Sequence, residues 1–109
     1  MHTAYCATTG ANGTLITTGW DYNDNGIPYL TLTVRDSSAD GHHVRVRLVT
    51  SHVDGKTYFP WHANYDGAGS AKTFESYVSG YGTISGAAIQ VARFEGDTLL
   101  NYCTEWASD

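Results

Sequence analysis

Positive charge is scarce in this chain. Six Lys and Arg stand against eleven Asp and Glu, for a formal net charge of −5. General binding to nucleic acid or to an anionic membrane surface rests on clustered positive charge, so neither is an expected partner. Long hydrophobic runs are missing too. No segment approaches the roughly 20 apolar residues that cross a bilayer, and no membrane insertion is expected. No charged n-region followed by an apolar run opens the chain, which fits a mature protein whose signal has been removed. Helical periodicity is also absent. Its best candidate, Ala71 to Val78, lies between glycines and is rich in β-branched and aromatic residues.

Catalytic signatures are equally thin. There is no G-x-S-x-G, and His2, His42, His43, His52 and His62 form neither H-x-x-x-H nor H-E-x-x-H. A zinc site would need ligands converging from separate strands. The three glutamates, Glu75, Glu95 and Glu105, and eight aspartates show no spacing that marks a hydrolytic pair. The expectation is therefore a non-catalytic protein, with a small secreted hydrolase as a distant third reading.

What is present begins with two cysteines, Cys6 and Cys103, near opposite ends of the 109 residues. A bond between them closes nearly the whole chain into one ring and points to a secreted, extracellular location. In the chain-entropy picture it stabilises by roughly 4 to 5 kcal/mol. It also leaves no thiolate to act as nucleophile or metal ligand.

Period-two patterning is clear. Leu30, Leu32 and Val34 alternate with Thr31, Thr33 and Arg35; Val44, Val46 and Leu48 alternate with His43, Arg45 and Arg47. Further strands are expected over residues 14–22, 56–65, 73–78, 87–94 and 99–106. Asn25-Gly26, Asp40-Gly41, Asp54-Gly55, Asp66-Gly67 and Gly96-Asp97 supply the turns. The expected fold is all-β, one domain over residues 1–109. It is an antiparallel, immunoglobulin-like β-sandwich of about seven strands with one terminal-to-terminal disulfide. Its cysteines are terminal, whereas the usual inter-sheet bridge joins interior strands. The glycine-rich segment 79–86 reads as a flexible loop.

Pairing Val34 with Val44 as a hairpin sets Arg35 beside His43, Thr33 beside Arg45 and Thr31 beside Arg47. That register makes a basic outer stripe of Arg35, His43, Arg45 and Arg47 on an acidic protein. Either nearby carboxylates and solvent, or an acidic partner surface, must neutralise it. Residues 56–65 form a second candidate surface. Pro60 donates no ladder hydrogen bond, which makes this an edge strand. Strict alternation puts Phe59, Trp61, Ala63 and Tyr65 on one face and Tyr58, Pro60 and His62 on the other. Tyr58, Trp61 and His62 suit a protein interface or a stacked glycan.

Asp21-Tyr22-Asn23-Asp24-Asn25-Gly26 matches the opening of a calcium loop, with Asp21, Asn23 and Asn25 as oxygen ligands. The position that an EF-hand fills with a bidentate Glu is Leu32, and a type I′ hairpin turn explains the same letters. Calcium is the one cofactor these residues suggest. Asn12-Gly13-Thr14 matches the N-glycosylation acceptor pattern.

The run from Asp36 through Ala39, Asp40 and Gly41 to Val44, Val46 and Arg47, with Cys6 and Cys103 near the ends, resembles small secreted two-cysteine β-proteins of Streptomyces and related actinobacteria. The resemblance implies secretion and a strand-rich fold. Secreted proteins of such bacteria include protease inhibitors and adaptor subunits of toxin particles. The leading expectation is thus an extracellular protein-binding module, an adaptor or inhibitor. A carbohydrate-binding module is the alternative.

Overall fold

The structure is a computed structural model describing residues 1–108. It contains nine strands: β1 (His2–Thr8), β2 (Ala11–Thr18), β3 (Ile27–Asp36), β4 (His43–His52), β5 (Gly55–Tyr58), β6 (His62–Asn64), β7 (Ala71–Val78), β8 (Gly86–Glu95) and β9 (Thr98–Trp106). All pairings are antiparallel. A four-stranded sheet runs β1-β2-β3-β7, and a larger five-stranded sheet runs β5-β4-β8-β9 with β6 also on the edge of β4. The nine strands exceed the seven expected because β1 is an additional strand and residues 56–65 make two short strands.

Alternating apolar side chains from both sheets form the core between them. Leu15, Ile27, Leu32, Val34, Val44, Val46, Ile89 and Val91 are all fully buried there. The packing is tightest at Gly13, where a Cβ would lie 2.6 Å from both the Thr33 carbonyl and Val91 Cγ2. Only glycine lets the sheets approach this closely.

One side of the sandwich is shut. The Cys6–Cys103 disulfide joins β1, an edge of the smaller sheet, to β9, an edge of the larger one, with Cα atoms 6.0 Å apart. Below it, Thr3 and Ser108 exchange backbone hydrogen bonds of 2.9 Å. On the opposite side β7 and the β5/β6 edge stay unpaired to each other. A cleft of roughly 200 Å³ opens there, lined by Leu30, Leu32, Leu48, Phe59, Pro60 and His62 among others.

Three expectations need correction. First, β3 and β4 are not a hairpin: each lies in a different sheet. Their apolar faces meet across the core, and the connection between them changes sheets. Asp36, Asp40 and Gly41 build that crossover. The buried Asp36 carboxylate accepts from the Ser38 N–H, Asp40 accepts from the His42 N–H and from Arg93 at 2.7 Å, and Gly41 takes φ 77°. Either topology buries the same alternate residues, so periodicity alone did not separate them.

Second, residues 56–65 do not alternate strictly. Tyr58 pairs with Val49 and His62 with Val46, so Phe59, Pro60 and Trp61 span only two residues of β4. This one-residue bulge at Pro60 inverts the pattern. Tyr58 and Trp61 share the outer face, whereas Phe59 and His62 turn inward. Third, the loop over residues 79–86 is anchored at its C-terminal end, while residues 79–83 are exposed. Ile84 is fully buried and exchanges backbone hydrogen bonds of 2.8 and 2.9 Å with Asn23 and Asp24.

Candidate functional site

The outer face of the larger sheet carries the most distinctive chemistry. Cross-strand register places Tyr58, Val49, Ala88 and Trp106 in one row, and Arg47, Gln90 and Thr104 in the next. Beyond them lie Arg45, Ala92 and Tyr102, then His43 and Phe94. Of the two central strands, β4 carries the long His43, Arg45 and Arg47, and β8 sets the small Ala88 and Ala92 beside them. The large side chains fold over the centre, so Val49, Ala88, Ala92 and Phe94 are buried although they point outward.

Cations hold this layer together. The Arg45 guanidinium sits 4.1 Å from the Phe94 ring centroid. Arg47 sits 4.2 Å from Trp61 and 4.8 Å from Tyr58, and Lys56 reaches to 5.6 Å over Trp106. His43 stacks on Tyr65 at 4.3 Å, and Trp61 meets Phe94 edge-on at 5.4 Å.

Electrostatics differ between the two central arginines. Arg45 is neutralised: one terminal nitrogen donates to Asp97 at 3.0 Å and to the Gly96 carbonyl at 2.9 Å. Its Nε donates to His43 Nε2 at 2.9 Å. An arginine Nε always carries hydrogen, so His43 must accept there, which places its single ring proton on Nδ1. Burial, then the neighbouring Arg45 charge, lowers the His43 pKa below its ordinary 6.5, against opposing pulls from Asp97, Glu95 and Asp36.

Arg47 donates through Nε to Gln90 Oε1 at 2.7 Å, and Gln90 Nε2 donates on to Thr104 at 2.9 Å. Among the described residues no carboxylate pairs with Arg47. Burial lowers its pKa from the ordinary arginine range, with the nearby Tyr58 phenol pulling the other way. A depression of roughly 260 Å³ lies beside it, lined by Arg47, Tyr58, Gln90, Leu99 and Tyr102.

The structure thus brings together His43, Arg45, Arg47, Tyr58 and Trp61. It separates Arg35, which pairs with Asn12 and Ala71 on the smaller sheet and faces away. His62 is separated as well: it turns inward and stacks on Phe74 at 4.8 Å, beside the open-edge cleft. Sequence reasoning missed Gln90, Phe94, Leu99, Tyr102 and Trp106. A usable signal existed in Tyr102, Thr104 and Trp106, which alternate with Cys103 and Glu105 and so share the face opposite the disulfide.

The segment from Asp21 to Gly26 is an exposed turn held by its own hydrogen bonds. Asp21 accepts from the Tyr22 N–H and contacts His2 Nε2 at 3.0 Å, and these contacts lower its pKa below 3.8. Asp24 accepts from the Asp21 N–H at 2.8 Å, and Asn23 takes φ 72°. Both carboxylates therefore already stabilise the turn. Among the described residues no group of three or more His, Cys, Asp and Glu is placed to hold a metal ion.

One further polar chain stands out. His52 Nε2 contacts Thr50 Oγ1 at 2.7 Å, and His52 Nδ1 donates to the Thr83 carbonyl at 2.9 Å. Thr50 is 0% exposed, so no substrate reaches that hydroxyl.

No family model matches the chain, and no curated protein sequence matches it. Among the described residues no helix is long and apolar enough to cross a membrane.

Proposed function

We propose that this chain is an extracellular, non-catalytic binding module that docks a protein partner, as an adaptor or inhibitor, through the outer face of its larger sheet. The observation that carries the reading is the composition of that face. Tyr58, Leu99, Tyr102 and Trp106 stay exposed there although they lie beside a well-packed arginine–aromatic layer. Aromatics and arginine are the residues enriched in protein interfaces and their hot spots. The disulfide supports an oxidising compartment. The resemblance to secreted two-cysteine β-proteins of actinobacteria supports the same location.

A glycan platform fits less well. Sugar stacking needs open aromatic faces, and a cation takes up one face of each of Tyr58, Trp61 and Trp106. Affinity capture from the producing organism's culture medium tests the reading. The expected partner is retained by wild type and by Arg35→Glu and lost with Tyr102→Ala plus Arg47→Glu. Retention by that double variant, or equal loss with Arg35→Glu, overturns this docking face. Binding to insoluble polysaccharide that Tyr58→Ala removes would favour the glycan module instead.

A further inference from the structure

We propose that Arg47 is the receptor for a single carboxylate, supplied by an acidic side chain of the partner protein. The inference rests on the docking face described above and names the chemistry at its centre.

The cations of this protein have different fates. Arg45 pairs with Asp97, Arg93 with Asp40 at 2.7 Å, and Lys72 with Asp66 at 3.6 Å. Arg35 and Lys56 are exposed to water. Arg47 is the half-buried cation left without a carboxylate among the described residues, in a chain with eleven acidic residues. The flanking Tyr58 and Trp61 rings offset the cost of desolvating this cation, but no counter-charge does. Its position is fixed rather than adaptable: Gln90 engages Nε, and Tyr58 and Trp61 flank the guanidinium. Neither terminal nitrogen has a hydrogen-bond partner among the described residues, and neither is sealed from solvent. A guanidinium with both terminal donors open is matched by the two oxygens of a carboxylate.

The surroundings narrow the occupant. The depression beside Arg47 is walled by Tyr58, Leu99 and Tyr102, so it suits a short apolar stem ending in negative charge. That describes a glutamate or aspartate side chain. A polyanion is disfavoured because the protein itself carries a net charge of −5 and would repel it. Half-exposed Leu99 and Tyr102 also need an apolar surface to cover them, which a protein partner provides.

The test uses the isotope-labelled protein and N-acetylglutamate α-amide, a probe with one side-chain carboxylate. N-acetylglutamine amide is its neutral counterpart at matched ionic strength. Saturable shifts of the Arg47 Nε–H, the Gln90 side-chain amide and the Trp61 indole are expected, with a Kd in the millimolar range. The neutral probe should bind roughly tenfold more weakly or not at all. Arg47→Lys, which keeps the charge and loses the fork, should weaken binding, and Arg35→Gln should leave it unchanged. Equal shifts with both probes, shifts that never saturate, or undiminished binding by Arg47→Lys would each overturn the proposal. The probe comparison needs no variant, so it decides the matter even if substitution at Arg47 disturbs folding. If partner capture depends on this face but the carboxylate does not bind, the docking reading survives and the carboxylate receptor fails. If the carboxylate binds but nothing docks on the face, the reverse holds.

Discussion

The two sheets present very different outer faces to solvent. On the smaller sheet the central row is Tyr5, Thr14, Thr33 and Thr73, and the next is Thr3, Ile16, Thr31 and Glu75. These are mostly short side chains. The Thr33 and Thr73 hydroxyls bond each other at 2.9 Å in an exposed position. Thr14, Thr31 and Thr33 are half-buried, and Thr3, Tyr5, Ile16, Thr73 and Glu75 around them are exposed. On the larger sheet, rings and guanidinium groups cover the centre until Phe94 is only 4% exposed. The same backbone lattice thus makes a plain solvated face on one side and a second packed layer on the other. Ordering long side chains costs roughly 1 to 2 kcal/mol each in rotamer entropy. That cost is borne where a surface has to be rigid, and preorganised surfaces lose less on binding.

Both faces depend on the clasp between β1 and β9. Replacing Cys6 and Cys103 by alanine should have the largest effect, a loss of about 4 to 5 kcal/mol measured by denaturant unfolding. A loss under about 1 kcal/mol would mean that packing alone holds the sheets. The contrast between the faces themselves is sharpened by a pair of truncations. Phe94→Ala should cost about 3 kcal/mol, near the value for a buried core phenylalanine. Thr73→Ala, at an outward position on the edge strand of the other sheet, should stay within about 0.5 kcal/mol. Similar costs for the two would erase the distinction. Smaller still is Arg47→Met, which keeps the stem but removes the charge over Trp61 and Tyr58. It should cost about 1 kcal/mol in thermal or chemical unfolding, with Arg35→Met near zero.

Much of the fold was legible in advance. Leu30, Leu32, Val34, Val44, Val46 and Leu48 alternate cleanly and are all buried as the pattern requires. The terminal cysteines pair. What periodicity did not carry was partnership. A strand with one apolar face satisfies a neighbour beside it or a sheet opposite it equally well, so periodicity pairs β3 with β4 edge to edge and draws Arg35 into a stripe it does not join. The bulge at Pro60 hid for a similar reason. One extra residue shifts every following side chain to the other face, and that shift is set by the register with β4, not by residues 56–65 themselves. The aromatic layer is half visible in the sequence: Tyr58 and Trp61 stand out there, but Phe94 and Trp106 join them only once β8 and β9 lie beside β4.

The faces also differ in their response to pH, and this is the smallest expected effect. The outer rows of the smaller sheet contain no histidine. The larger sheet has His43 stacked on Tyr65 and accepting from Arg45. Its folded pKa is lowered from 6.5 by burial and by Arg45. The unfolded chain therefore binds a proton before the folded one does. Stability from this group is complete above the unfolded value and falls as pH drops below it toward the folded value. Asp21 and Asp40 are held below 3.8, by the Tyr22 amide with His2 and by Arg93 with the His42 amide, so their contribution is lost only at lower pH. Between about pH 7 and pH 5 the Tm of wild type should drop more than that of His43→Gln. Glutamine keeps a side-chain oxygen that can accept from Arg45, and the four other histidines are common to both proteins. Parallel Tm profiles would mean that His43 titrates alike in both states, and the arginine–aromatic layer would then be more open to water than its packing implies.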